Sequence, residues 1–184
     1  DYVGKNGAFP VKGHSIRSAL YSIPDCQKIT KKAVVDRLAS VYHISRLPEN
    51  GPMYQIEFFI FKDVANLMIE TSGAPLHKRG YRKDSNDAPI RETLAAAIAK
   101  TSRPREDVLL WDPMCGSGTI LIDGAMMVHN IAPGVNRNFS AERWDVIPEY
   151  VWAEERARAR DLVNYDTDFI AYGSARIPPV ISKP

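Results

Sequence analysis

Cysteine is scarce in this 184-residue chain, with Cys26 and Cys115 the only two. Two thiols build no disulfide framework of the kind that staples small secreted domains, and no Cys/His cluster has metal-ligand spacing, so no metal is expected. Long apolar runs are missing as well: nothing approaches the roughly 18 consecutive apolar residues of a membrane-spanning helix. The N-terminus carries no basic-then-apolar leader pattern. These absences read as an intracellular, cytoplasmic chain with no membrane partner. A dominant charge is also lacking, because 24 Lys/Arg stand against 22 Asp/Glu for a formal net charge of +2. What remains, 45% hydrophobic and 25% charged residues, is the composition of a globular protein with room for one large or two small domains.

The charge is unevenly placed. Residues 1 to 82 hold 12 Lys/Arg against 7 Asp/Glu, whereas residues 83 to 184 hold 12 against 15. A basic module joined to a slightly acidic one favours a polyanion as the partner of the first.

Along the chain, an irregular start gives way at Pro24-Asp25 to a helix entry with Asp25 as its N-cap. Ile29, Ala33, Val34, Leu38 and Val41 then recur at helical spacing, predicting a helix over about 27–43, with Lys28, Lys31, Lys32 and Arg37 on its other faces. Tyr54, Ile56, Phe58 and Ile60 alternate as a strand does, and the apolar run from Val64 to Ile69 follows after only Lys62-Asp63, which predicts a hairpin. This half reads as a small α+β unit, a helix on a sheet. The polar stretch 71–89, "TSGAPLHKRGYRKDSNDAP", reads as a junction, with the boundary placed near Arg82. Beyond it, Asp87 and Pro89 predict the start of a helix whose apolar face is Ile90, Leu94, Ala97 and Ile98. A short buried strand is expected over Val108 to Trp111, then a glycine turn, then a helix from Ser117 to Asn130 that stops before Pro133-Gly134. Helix, strand, glycine turn, helix is an α/β order.

The turn "DPMCGSGT", residues 112–119, is where chemistry is expected. A strand that ends in glycines and opens a helix aims backbone N–H groups at a ligand and lets it approach the main chain. A phosphate-cradling P-loop needs Gly-Lys-Ser/Thr, but Thr119-Ile120 follows Gly118. The dinucleotide pattern is met at Gly116 and Gly118 and lost at Leu121, which leaves a nicotinamide-dependent oxidoreductase a weak alternative. An S-adenosylmethionine (SAM) loop fits better, because Asp112 offers a carboxylate to a cationic sulfonium and amino group, and the N–H groups of Gly116 to Thr119 suit its carboxylate.

Residues 112–144, "DPMCGSGTILIDGAMMVHNIAPGVNRNFSAERW", resemble the SAM-binding motif and following segment of the bacterial THUMP-domain methyltransferases that modify guanine N2 in large-subunit (23S) ribosomal RNA. "TSGAPLHKRGYR" (71–82) and "APIRETLAAAI" (88–98) are similar to that family's linker and the helix before its SAM loop, and "SALYSIPDCQKITKKAVVDRL" (18–38) resembles the second part of a THUMP domain. The resemblance implies a partial α+β THUMP domain and linker over 1–82, then the N-terminal part of an incomplete Rossmann-like SAM-dependent methyltransferase domain over 83–184. It implies SAM as cofactor, held by Asp112, Met114, Cys115, Gly116, Ser117, Gly118 and Thr119, and RNA as partner. Lys28, Lys31, Lys32, Lys78, Arg79 and Arg82 become candidate phosphate contacts and Tyr81 a stacking surface, although the 77–82 cluster equally suits a role in fixing the junction. Methyl transfer would be direct, to an extruded guanine. Cys115 as a nucleophile is disfavoured because no His partner is identifiable.

Two departures stand out. The family's next strand ends in Gly-Ser-Asp, whose acid binds the SAM ribose, whereas "YGSARI" (172–177) has Ala175 there. The family's Asn/Asp-Pro-Pro-Tyr catalytic motif is absent, so no catalytic residue is assigned. The residues after Arg82 are too few for a full methyltransferase sheet, which points to a fragment or gapped chain. A non-catalytic RNA-binding protein with a degenerate methyltransferase domain is the other class of reading.

Overall fold

The computed structural model describes residues 2–81 and 90–175. By contacts the chain divides into two units, Asp1–Ala74 with Asn138–Trp152, and Pro75–Arg137 with Ala153–Pro184. The boundary expected at Arg82, and the helix start expected at Asp87 and Pro89, lie outside the described residues.

In the first unit, β1 (Val11–Ile16), α1 (Ile23–Tyr42), β2 (Gln55–Phe61) and β3 (Val64–Glu70) form a three-stranded sheet in the order β1-β2-β3 with one helix. β1 and β2 are parallel and joined through α1, while β2 and β3 are an antiparallel hairpin. The hairpin turn places both Lys62 and Asp63 at positive φ, +49° and +63°, as a two-residue turn of matching twist needs. Neither is glycine. Asp63 compensates locally, accepting from the Ser18 hydroxyl at 2.7 Å and the Ala19 N–H at 2.8 Å.

The alternation read in β2 holds, with Tyr54, Ile56, Phe58 and Ile60 all buried. The start of the chain, expected to be irregular, instead contains β1. Its pattern is blurred by Gly13, which has no side chain because the Phe58 ring on the paired strand occupies that space; a Cβ would stand 2.5 Å from the ring. Two expectations for α1 are also corrected. The N-cap is Ser22, not Asp25, which lies in the first turn and accepts the Ser22 hydroxyl at 2.5 Å. Ile29 is 70% exposed, and the core-facing stripe is Val34, Val35, Leu38 and Tyr42. Lys31 occupies that stripe one turn earlier, its ammonium 3.6 Å from the Phe9 ring centroid and bonded to Phe9 O at 3.1 Å.

Part of this core comes from far along the chain. Trp144 stacks on Tyr54 at 4.8 Å and donates its indole N–H to Met53 O at 2.9 Å. Ala141 is buried beside it, and its N–H donates to Thr71 O. Residues 138–152 therefore complete the first unit's core with Val3, Phe9, Leu38 and Ile56.

The second unit holds α2 (Glu92–Thr101), β4 (Leu110–Asp112), α3 (Thr119–Val128) and β5 (Ala171–Gly173), with β4 and β5 paired in parallel. The face expected on α2 is rotated: Leu94 and Ile98 are 55% and 41% exposed, and Ala95 and Ala99 are buried. Small residues win that face because α2 packs on α3 through Gly124, where a Cβ would come 3.9 Å from Ala99 Cβ and 2.5 Å from the Leu110 side chain. Just past the end of α3, Asn130 sits at φ +54° and the Ile131 N–H closes back on Met126 O at 2.8 Å. A further helix, α4 (Glu149–Asp161), has no buried residue, which is why its sequence shows no apolar face. No helix among the described residues is long and apolar enough to cross a membrane.

Candidate cofactor-binding site

β4 delivers Asp112 to its C-terminal end, opposite Gly173 of β5. The chain then folds over on its own hydrogen bonds. Asp112 Oδ1 accepts the Met114 N–H at 3.0 Å, Ser174 N–H donates to Asp112 O at 3.0 Å, and Cys115 N–H donates to Ser174 O at 3.0 Å. Gly118 N–H closes the turn on Cys115 O at 2.7 Å. The Ser174 hydroxyl adds a bond to Pro113 O at 2.9 Å, so the two strand ends and the loop are locked together. Gly173 is forced by the same packing, since a Cβ there would stand 2.7 Å from Cys115 Sγ.

The other side of the loop is open. Gly116 and Gly118 have φ of +53° and +74°, and a Cβ built on either meets nothing within 4 Å. Glycine stands there for its left-handed backbone, and the empty space above lets a ligand reach the main chain. Gly118 is the N-cap of α3, and no side chain caps that end. The positive end of the helix dipole thereby faces the loop. Ser117 Oγ and Thr119 Oγ1 lie 3.1 Å apart beside them, Thr119 being buried, and the Met114 side chain is 86% exposed. The Cys115 thiol, half-buried, sits 3.8 Å from Gly116 O, and both cysteines are free. Ala175 follows Ser174 at the place where the resemblance puts a ribose-binding acid, and it supplies no carboxylate. No cluster of three or more His, Cys, Asp or Glu with metal-binding geometry occurs among the described residues.

The basic candidates separate by what they already touch. Lys28 and Lys32 are 80% and 75% exposed, Lys28 loosely paired with Asp25 at 4.0 Å and Lys32 donating to both Asp36 oxygens at 2.8 and 3.0 Å in a solvent-exposed pair. Lys78 is exposed. Lys31, by contrast, is committed to Phe9 and to Glu49 at 2.6 Å. Arg79 is only 10% exposed, with its guanidinium 2.9 Å from Asp123, and the Tyr81 hydroxyl reaches the same carboxylate at 3.4 Å. Arg79 and Tyr81 are thus engaged within the second unit, on the Asp123 carboxylate of α3. Arg82 lies outside the described residues.

Sequence reasoning passed over Asp123 and Arg137. Arg137 donates from one guanidinium nitrogen to Pro75 O at 3.0 Å and Lys78 O at 3.3 Å, from a site that is 8% exposed. The one signal was at Asp123, a charged residue between Ile122 and Gly124; Arg137, between Asn136 and Asn138, carried none.

A parallel strand pair, a glycine loop tied down on one side and open on the other, and a carboxylate at the strand tip define the cofactor end of an α/β nucleotide-binding domain. The chain belongs to the RMKL-like methyltransferase domain family, matched over residues 79–183, and residues 1–70 match the THUMP domain. Among curated proteins it is 43% identical over 175 residues to the Bacillus subtilis protein named "Putative RNA methyltransferase YpsC", covering 94% of this chain and 46% of that one. It is 40% identical over 134 residues to the ribosomal RNA large subunit methyltransferase K/L of Psychromonas ingrahamii, 71% of this chain and 18% of that protein. A crystal structure from Listeria monocytogenes, named a predicted N6-adenine-specific DNA methylase, superposes with TM-score 0.89 at 48% identity over 95% of this chain and 46% of its own. SMU.472, named a putative methyltransferase and solved with S-adenosylhomocysteine (SAH), superposes with TM-score 0.85 at 43% identity over 94% of this chain and 46% of its own. The chain spans about half the length, or less, of these relatives.

Proposed function

We propose that this chain seats SAM at residues 112–119 and serves a methyltransferase that modifies the exocyclic N2 of a guanine in large-subunit ribosomal RNA. The observation that carries the reading is the open main chain at Gly116 and Gly118 beside the Asp112 carboxylate. That donor set fits SAM, which has a carboxylate for helix N–H groups, a cationic amine and sulfonium for a carboxylate, and no phosphate that would call for a lysine. The RNA assignment rests on the THUMP match and on the names carried by the RNA methyltransferase relatives.

When bound, SAM supplies a methyl group on a positively charged sulfur, ready for displacement by an amine. Asp112 would hold the cofactor's charged amine, its Oδ1 kept in place by the Met114 N–H. The exposed main chain at Gly116 and Ser117 would take the carboxylate borne on the same carbon as that amine, and Met114 offers an exposed apolar side chain beside them. Positioning of this kind supplies a large share of rate enhancement in a direct transfer. The first unit grips RNA through exposed lysines, with Lys28 and Lys32 as phosphate contacts, and the second adds Lys78 and presents the cofactor. Such an enzyme works in the cytoplasm, where ribosomal RNA is made.

The test is methyl transfer from labelled SAM to protein-free large-subunit RNA by the whole protein, followed by nucleoside analysis. N2-methylguanosine is the expected product, with SAH but not NAD raising the thermal midpoint. Label appearing as N6-methyladenine in DNA would move the substrate to the class named for the Listeria neighbour. RNA binding without any transfer would leave a binding protein with a degenerate methyltransferase domain.

A further inference from the structure

The buried cluster Asp123–Arg79–Tyr81 lies directly behind the loop assigned to the cofactor. Asp123 is the fifth residue of α3, little more than one turn beyond the N-cap Gly118, and is 1% exposed. Arg79 holds one of its oxygens at 2.9 Å and the Tyr81 hydroxyl the other at 3.4 Å. A second guanidinium nitrogen of Arg79 reaches Glu92 O, at the first residue of α2, at 3.5 Å. The segment carrying Arg79 and Tyr81 is itself pinned. Arg137 holds the Pro75 and Lys78 carbonyls, and Gly80, at φ +85°, passes so close to Asn136 that a Cβ would stand 2.6 Å from its carbonyl oxygen.

A charge buried this deeply is costly, and a pair of this kind is weak evidence for stability alone, since apolar packing of equal volume does as well. What a guanidinium on one carboxylate oxygen and a hydroxyl on the other add is a fixed orientation. α3 is a short helix whose neighbour Gly124 lets Leu110 and Ala99 approach closely, so the helix is gripped by packing on one residue and by charge on the next. A rotation of α3 about its axis would break the Asp123 bonds and swing the first-turn N–H groups at the same time.

We propose that Asp123, held by Arg79 and Tyr81, is a positioning residue that sets the orientation of the α3 N-terminus for the cofactor, making the HKRGY segment a brace for the cofactor loop. The inference rests on the reading of residues 112–119 as the SAM seat. Asp123 touches no cofactor atom in this account and acts only through α3.

The test is titration calorimetry of SAH into the whole protein and into Asp123→Asn, Asp123→Glu and Arg79→Lys, with thermal midpoints measured alongside. Trp144→Ala, a destabilising change in the other unit, is the control. Asp123→Asn and Arg79→Lys are expected to weaken SAH at least tenfold, Asp123→Glu to recover most of that loss, and Trp144→Ala to bind like wild type despite its lower midpoint. SAH affinity within twofold of wild type in Asp123→Asn and Arg79→Lys overturns the brace, as does a loss in Trp144→Ala equal to theirs. If wild type itself fails to bind SAH, the cofactor reading falls first and the brace with it. Should Asp123→Asn fail to fold, Arg79→Lys against Asp123→Glu decides.

Discussion

Replacing Trp144 by alanine tests how the first unit is built. The indole is 5% exposed, stacks on Tyr54 at 4.8 Å and donates to Met53 O at 2.9 Å, although it lies more than 90 residues along the chain from that carbonyl. Truncating a buried tryptophan to alanine costs about 3 to 5 kcal/mol through lost transfer energy and the cavity left behind. Within that figure, the lost hydrogen bond to Met53 O, on a residue 52% exposed, accounts for about 0.5 to 1.5 kcal/mol. Trp144→Phe keeps a ring against Tyr54 and gives up the hydrogen bond, so its expected loss is only about 1 to 2 kcal/mol. Urea unfolding followed by circular dichroism reads both as a fall in midpoint at unchanged slope. For a unit of this size the alanine variant should lower the thermal midpoint of its transition by at least roughly 12 °C. Trp111→Ala is the reference, because Trp111 is 66% exposed and its loss should cost under about 0.5 kcal/mol. If Trp144→Ala falls no further than Trp111→Ala, residues 138–152 are not part of that core and the division of the chain described above is wrong.

Three further outcomes are expected. Gly118→Val forces a branched side chain into φ +74° and fills the open space above the loop, so SAH affinity should drop more than tenfold while circular dichroism stays that of a folded chain; unchanged affinity would empty the site of meaning. The Ser18 hydroxyl, then the Ala19 N–H, hold the Asp63 carboxyl below its ordinary range. A group lowered on folding stabilises above its unfolded value and loses that contribution as pH falls through the folded one, so the gap in urea midpoint between wild type and Asp63→Asn should shrink below about pH 4 and be constant above about pH 5. Lys28→Glu with Lys32→Glu should weaken RNA binding across sequences and flatten its salt dependence, whereas Lys31→Met should instead lower stability, since Lys31 is bonded to Phe9 O and Glu49; equal effects of all three on RNA would contradict the sorting.

Local signals were the legible ones. The alternation of β2, the two-residue hairpin link and the strand, glycine, helix order at 110–128 depend on neighbours in sequence, and each appears where its pattern lies. Apart from the α1 N-cap, a local choice between Ser22 and Asp25, the misreadings of β1 and α2 share one cause, which is contact with residues far away. Gly13 hides β1 because Phe58 needs its space, and Ala95 and Ala99 rather than Leu94 and Ile98 face inward on α2 because Gly124 of another helix permits close approach. No sequence pattern links Trp144 to Tyr54, and only the fold brings the two together. At the candidate site the loop was readable from glycine spacing and one acid, while the Asp123 brace was not. An ion pair between positions 79 and 123 has no period to reveal it, and a tyrosine beside basic residues resembles a nucleic-acid contact until its hydroxyl is found on a buried carboxylate.

The most direct measurement is a crystal structure of the whole protein grown with SAH. The account predicts the ligand against the backbone of Gly116 to Thr119, with its charged amine toward Asp112. A ligand seated elsewhere, or a loop closed over by other side chains with SAH absent at saturating concentration, would contradict it.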